Sequence, residues 1–169
     1  MIDCVSGQVF LYDGKTSELV GELGSPAHKG GVYGVAWSPD SKQLLTASGD
    51  KTCRLWDAAQ RSLVAEFPMG VGDVEDQQVS CLWQGKHLLS VSLAGHITYL
   101  NVNDPKKPLR VVKGHNRAIT VLSLSKDRQV RSNRSRNRWF LKLNGPLQYQ
   151  DLKIHVLELG NFINNLFFY

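Results

Sequence analysis

His28, Ser48 and Asp50 are the residue types of a nucleophilic catalytic triad, in which histidine takes the serine proton and a carboxylate orients the histidine. Trp56 follows on the same stretch of chain, and an indole N–H can only donate a hydrogen bond. Hydroxyl and neutral imidazole groups both donate and accept, whereas a carboxylate only accepts. The same four residues could therefore form a hydrogen-bonded chain with a structural purpose, and no G-x-S-x-G nucleophile elbow supports the catalytic reading.

Other sequence patterns with catalytic or metal-binding chemistry are absent. His155 to Glu158 reads HVLE and is not an H-E-x-x-H metal motif. The glycine-rich run at 30–34 is not followed by the G-K-[ST] of a phosphate-binding loop. The three cysteines are scattered without a C-x-x-C pair, which favours reduced thiols in the cytosol over a zinc site. We therefore predict no catalytic residue, metal site or cofactor.

Short apolar runs separated by turn residues predict an all-β chain. Residues 28–67, here called the central blade, contain four predicted strands: Val32–Trp37, Leu44–Ser48, Thr52–Asp57 and Leu63–Phe67. Residues 79–112, the divergent blade, repeat that order: Val79–Trp83, Leu88–Ser92, Ile97–Asn101 and Leu109–Val112. Upstream, two strands are predicted at Gln8–Asp13 and Leu19–Leu23, joined at an Asp-Gly turn.

The predicted third strands recur with a fixed period. Tyr12, Trp56 and Leu100 occupy the same place in three similar segments and are spaced 44 residues apart. A period near 44 with a Trp-Asp close resembles the WD repeat, whose units form the blades of a β-propeller. Propellers close with roughly 4–8 blades, and this chain repeats for about two and a half. We therefore predict an incomplete propeller over 1–126, with Gly114–Leu124 opening a further blade.

The WD-repeat resemblance assigns a structural role to the four polar residues. In that family, a tryptophan indole bonds a Ser or Thr hydroxyl, the hydroxyl bonds a histidine, and the histidine bonds an aspartate. On this pattern the tetrad is His28, Ser48, Asp50 and Trp56. In the divergent blade Ser92 takes the place of Ser48, Ala94 replaces the aspartate and Leu100 replaces the tryptophan.

Two further stretches resemble one particular family, actin-interacting protein 1. The first comprises the segments Gly24–Tyr33, Trp37–Ser41 and Ser48–Thr52. The second comprises Asp76–Gln78, Cys81–Gln84, Leu88–Leu93, Pro108-Leu109 and Gly114-His115. Because the divergent blade departs from the repeat consensus, a match there is specific to the family. The resemblance covers about residues 5–125 and implies a non-enzymatic protein of the cytoplasm and actin cytoskeleton. It implies actin filaments and cofilin as partners, with the protein assisting cofilin in filament severing and disassembly. The alternatives are a generic WD-repeat interaction scaffold and an inactive truncated product.

No contact residues follow from that resemblance. The acidic loop between the two blades offers weak candidates for binding a basic partner, namely Asp73, Glu75 and Asp76. A solvated loop is the competing interpretation, because charged loops are usually simply exposed.

The end of the chain, 127–169, differs in composition from the repeats. It holds five arginines between Arg128 and Arg138, and then an apolar-rich stretch that ends in Phe168 and Tyr169. Three interpretations remain open: a read-through or alternative-splice end, an Arg-rich segment for nucleic acid, or packing against the open propeller edge. Nucleic acid is otherwise not indicated, and no run approaches the roughly 20 apolar residues that would cross a membrane.

An incomplete propeller predicts weak stability and self-association. Its terminal blades would leave uncovered faces and open strand edges, and such edges template pairing with other chains. Repeat units also depend on their neighbours for stability. We therefore expect association through the open edges, whose effect should depend on protein concentration.

Overall fold

The computed structural model describes residues 2–5, 7–113, 119, 121–124, 130–133, 142–143 and 152–153. The chain divides into two compact units, 1–120 and 121–169. The described residues of the first unit form three sheets, and every pairing of neighbouring strands within them is antiparallel. The Gly114-His115 pair and the apolar stretches near the end of the chain lie outside the described residues.

The N-terminal sheet has three strands rather than the two predicted. They are β1 (Ile2–Val5), β2 (Gln8–Tyr12) and β3 (Leu19–Glu22), in that order across the sheet. The additional strand is β1, which has four residues and was not predicted. The Asp13 turn forms as expected, with Asp13 Oδ1 accepting the backbone N–H groups of Lys15 at 2.7 Å and Thr16 at 2.9 Å.

The central blade is a four-stranded meander. Its strands are β4 (Val32–Trp37), β5 (Gln43–Ser48), β6 (Thr52–Asp57) and β7 (Ser62–Pro68), each paired with the next. The divergent blade repeats this order with β8 (Gln78–Gln84), β9 (His87–Ser92), β10 (His96–Tyr99) and β11 (Arg110–Lys113). A short 3₁₀ turn, Val74–Asp76, precedes β8. These strands match the predicted ones to within one or two residues at most ends.

Both faces of the central blade are covered by neighbours, because side chains alternate across a strand. Leu44 and Trp56 pack with Val9, Leu11 and Leu23 on the side of the N-terminal sheet. On the opposite face a second cluster joins the two blades; its buried members are Leu45, Ala47, Cys53, Leu55, Phe67, Cys81, Leu88 and Leu100. The first unit is therefore a partial β-propeller in which neighbouring sheets share each core.

The described residues of the second unit form two short antiparallel pairs. β12 (Val121–Leu124) pairs with β13 (Val130–Asn133), and β14 (Lys142–Leu143) pairs with β15 (Leu152–Lys153). The sequence pattern predicted no second strand after residue 126, so β13 is a correction. It lies within the arginine-rich stretch, whose sequence carries no strong strand signal.

Candidate functional site

A buried hydrogen-bonded network spans the central blade. The Trp56 indole N–H donates to Thr46 Oγ1 at 3.0 Å, and Thr46 Oγ1 lies 2.7 Å from His28 Nε2. On its other side, His28 Nδ1 lies 3.0 Å from Asp50 Oδ2. The network joins β6, β5, the loop before β4 and the turn after β5. It ties these four parts of the blade together.

The hydroxyl of this network belongs to Thr46 and not to Ser48, which corrects the tetrad expected from the sequence. Leu44 pairs with Trp56 in the register of β5 and β6, and Thr46 is the next residue on the same face. Ser48 is two residues further on, or about 6.6 Å along a strand, where β5 already gives way to its turn. The structure therefore brings His28, Asp50 and Trp56 together around Thr46.

Ser48 instead shapes the turn that carries Asp50. Its hydroxyl donates to Gly31 O at 3.0 Å, with Gly30 O also within 3.3 Å, and its oxygen accepts the Asp50 backbone N–H at 3.1 Å. Ser48 thus holds the loop before β4 against the turn after β5. Its role is structural, although it is not the role predicted.

The Asp50 carboxylate is surrounded by donors. Oδ2 receives the Lys29 backbone N–H at 3.0 Å in addition to His28, and Oδ1 receives the Thr52 N–H at 3.0 Å and the Thr52 hydroxyl at 2.7 Å. Partial burial raises the pKa of Asp50, but the donors from Thr52, Lys29 and His28 outweigh it and the pKa is lowered. Sequence reasoning missed Thr52 and Lys29, because the family pattern does not single them out.

His28 is held in its neutral form. Burial lowers its pKa, and this effect exceeds the opposing effect of Asp50. Since Asp50 can only accept, the ring proton lies on Nδ1, and Nε2 accepts the Thr46 hydroxyl proton. Trp56 therefore donates a hydrogen bond to Thr46, Thr46 donates one to His28, and His28 donates one to Asp50.

This geometry supplies no nucleophile. The Nε2 atom that a triad histidine would offer to serine is occupied by Thr46, and the Ser48 hydroxyl is bonded to backbone carbonyls. Among the residues that the structure describes, no three His, Cys, Asp or Glu side chains are grouped to bind a metal ion. Across that same described part, no helix is long and apolar enough to cross a bilayer.

The divergent blade lacks most of the network. Register places Ser90 where Thr46 stands, because Ser90 pairs with Cys81 as Thr46 pairs with Val35. Leu100 stands at the position of Trp56 and is buried among the blade-to-blade contacts. Among the described residues, the buried Ser90 hydroxyl has no nitrogen or oxygen partner, and its polar neighbour is the Cys53 thiol. Burial raises the pKa of that thiol to about 12, so Cys53 behaves as an apolar core residue.

The acidic loop between the blades is ordered by one of its own carboxylates. Asp76 Oδ2 accepts the backbone N–H groups of Val71, Gly72 and Asp73 at 2.9, 3.0 and 3.0 Å. Burial raises the pKa of Asp76, but these three donors together outweigh it and the pKa is lowered. Of the three acidic candidates, Asp76 therefore holds the loop together, while Asp73 and Glu75 are exposed.

The repeats match a known family of protein domains. The family model "WD domain, G-beta repeat" matches residues 17–57, which contain the whole polar network. In fold, 78% of this chain superimposes on 40% of a chain in the crystal structure of a mitotic checkpoint complex, with a TM-score of 0.66 and 18% identity. That likeness shows a WD-repeat propeller fold.

Two curated relatives are much closer in sequence. Actin-interacting protein 1 of Drosophila melanogaster is 74% identical over 124 residues, which is 73% of this chain and 20% of the relative. WD repeat-containing protein 1 of Rattus norvegicus is 57% identical over 122 residues, 72% of this chain and 20% of the relative. The chain thus spans about a fifth of the length of the curated relatives that it matches.

Proposed function

Over about three quarters of its length this chain belongs to the actin-interacting protein 1 family of WD-repeat proteins, and we propose that it is a non-enzymatic module that binds actin filaments. The observation that carries the proposal is 74% identity to a relative whose name states an interaction with actin. Identity at this level extends beyond the residues that a WD repeat needs for its fold. It therefore supports a shared binding surface as well as a shared architecture.

The polar chemistry of the central blade supports binding rather than catalysis. The members of the Trp56–Thr46–His28–Asp50 network hydrogen-bond to one another or to nearby backbone, so their donors and acceptors stabilise the blade. The exposed loops and strand edges carry the groups that remain free to meet a partner. A rigid blade that displays such loops suits recognition of a protein surface.

We further propose that the preferred target is a filament decorated with cofilin, and that binding assists cofilin in severing and disassembly. This step follows the family resemblance of the two blades. The same proposal implies a location in the cytoplasm on the actin cytoskeleton.

Co-sedimentation of the purified chain with filaments tests both levels of the proposal. We expect saturable pelleting with cofilin-decorated filaments and little pelleting with bare filaments. Equal pelleting with both would remove the cofilin preference and leave actin binding. Absence of the chain from both pellets, with circular dichroism showing that it is folded, would contradict the proposed function.

A WD-repeat scaffold for another protein partner is the second candidate. The match of residues 17–57 to the general WD-repeat model favours it, because that model is not restricted to actin-binding proteins. A folded chain that ignores filaments but retains a defined partner would support this alternative.

A further inference from the structure

Tyr33 is an exposed aromatic side chain that the backbone aims and holds. It lies at the irregularity between Val32 and Gly34, where β4 has one residue more than β5 opposite it. Such a bulge redirects a side chain out of the regular alternation. The ring lies against Gly31 and Gly49: a Cβ added at Gly49 would come within 2.8 Å of Tyr33 Cε2, and one at Gly31 within 3.2 Å of Cε1. Tyr33 nevertheless remains 56% exposed.

Two valines are displayed in a similar way on the neighbouring loop. Val71 is 93% exposed and Val74 is 65% exposed. The three hydrogen bonds to Asp76 fix the backbone beneath Val71, and Val74 begins the short 3₁₀ turn. Because the loop backbone is already ordered, a partner that binds these apolar side chains would cause little further loss of conformational entropy in the loop.

One turn supports both features. Gly49 contacts the Tyr33 ring, and Lys51, two residues later, donates from Nζ to Gly72 O between Val71 and Asp73. The same turn donates the Gly49 N–H to Gly31 O at 2.9 Å. Tyr33 on β4 and Val71 and Val74 on the loop after β7, which we call the tyrosine–valine surface, are therefore connected through the turn that contains Gly49 and Lys51.

Charge around this surface selects a class of partner. The loop that carries the two valines also holds Asp73, Glu75 and Asp76, and the Asp76 carboxylate is engaged with backbone N–H groups of the loop itself. The loop before β4 carries one exposed ammonium group, that of Lys29. The Lys51 ammonium is already engaged with Gly72 O, whereas Asp73 and Glu75 flank Val74 in exposed positions. The surface is thus apolar with an acidic rim.

We propose that the tyrosine–valine surface is a docking site for a protein segment that presents an apolar side chain beside lysine or arginine. A fixed tyrosine is a favourable anchor, because it offers a large contact area with few rotatable bonds to immobilise. Basic residues on the partner complement Asp73 and Glu75, which orients the segment and speeds its association. The identification of this segment with the filament target rests on the proposed function, whereas the chemistry of the surface does not.

Matched surface variants of the full chain test the proposal on filaments. Y33S/V71S/V74S removes the apolar side chains of the surface. The control L63S/V64S removes two apolar side chains of β7, each of which is 47% exposed. Circular dichroism and urea unfolding establish that both variants fold. We expect the first variant to bind decorated filaments about tenfold or more weakly, and the second to bind as the unaltered chain does. Equal binding by all three proteins would overturn the assignment and leave the proposed function standing.

A random peptide library displayed on phage tests the surface independently of actin. We expect the immobilised full chain to enrich peptides with an apolar residue beside Lys or Arg, and the triple variant to lose them. D73N/E75Q should weaken these peptides and reduce the salt dependence of their binding. If the chain does not bind filaments, the proposed function fails, and this experiment still tests whether the tyrosine–valine surface is a docking site. Enrichment of no such peptides, or their retention by the triple variant, overturns the docking site.

Discussion

The Trp56 indole N–H donates to Thr46 Oγ1 across 3.0 Å, from one strand of the central blade to the next. Thr46 is fully buried, so its hydroxyl has no access to water and must find its partners within the blade. Its oxygen accepts the hydrogen bond from Trp56, and its O–H group donates a hydrogen bond to His28 Nε2 at 2.7 Å. Thr46 is therefore the junction at which the two halves of the network meet.

Replacing Thr46 by valine should be strongly destabilising. The change keeps the size of the side chain but leaves both the Trp56 N–H and His28 Nε2 buried without a partner, and each such group costs about 1–3 kcal/mol. We expect the free energy of unfolding, measured by urea titration, to fall by about 2–4 kcal/mol. T46S keeps the hydroxyl and is the matched control. Similar losses in T46V and T46S would mean that the hydrogen bonds contribute little.

Stability should decrease as pH falls through the range in which unfolded histidine gains a proton. Burial lowers the pKa of His28 below its ordinary 6.5, so the unfolded chain binds this proton more readily than the folded chain does. The contribution of His28 is then fully present above about pH 6.5 and is lost at lower pH. Asp50, whose pKa is also lowered, adds a further loss below about pH 4.

The measurement is the urea midpoint between pH 8 and pH 5 for the unaltered chain and for H28N and H87N. His87 is the needed control, because burial lowers its pKa as well. We expect H28N to be less stable at pH 8 and to show a flatter pH profile, while H87N retains most of the slope. If H28N has the same slope of stability against pH as the unaltered chain, the pH dependence arises from other titratable groups.

Much of the fold was predictable because its pattern is local and repeated. The 44-residue spacing of Tyr12, Trp56 and Leu100 fixed the blade order, and turn residues such as Asp50 marked the strand ends. Both β6 and β10 were accordingly predicted within one or two residues. By contrast, β13 depends on pairing with β12, and its sequence carries too weak a pattern to show this.

The polar network was predicted in part, and the error has a structural cause. Two hydroxyl residues, Thr46 and Ser48, lie on the same face of β5, so side-chain type and face cannot distinguish them. The deciding quantity is the register between β5 and β6, which sets Leu44 opposite Trp56. Combining the predicted strand ends with antiparallel pairing would have placed Thr46 nearest to the indole.

Arg61 should stabilise the contact between the central blade and the N-terminal sheet. Its Nη1 donates to Val20 O at 2.9 Å, and its side chain lies over Gly21, whose φ of 153° and lack of a Cβ leave room for it. We expect R61A to lower the free energy of unfolding by only about 0.5–1.5 kcal/mol, but to speed hydrogen exchange in β3. R110A, on the exposed strand β11, is the control. Unchanged exchange in β3 would show that the bond does not hold the sheet.

Asp76 should control the order of the acidic loop without affecting the blades. D76A removes the acceptor of three backbone N–H groups, so the amides of Val71, Gly72 and Asp73 should exchange about tenfold or more faster. E75Q changes a neighbouring exposed carboxylate and should leave these rates alone. Equal protection in D76A would mean that Lys51 and the backbone order the loop by themselves.

Ser90 should be dispensable, in contrast to its counterpart Thr46. Its hydroxyl is buried and has no nitrogen or oxygen partner within the described part of the chain, and Leu100 stands where the central blade has Trp56. A buried hydroxyl without a good partner opposes folding, because it gives up its hydrogen bonds to water. S90A should therefore change the free energy of unfolding by less than about 0.5 kcal/mol or increase it, whereas T46A should lower it clearly. Urea titration of the two variants side by side measures this contrast. A loss in S90A as large as that in T46A would show that the contact with the Cys53 thiol replaces the missing network.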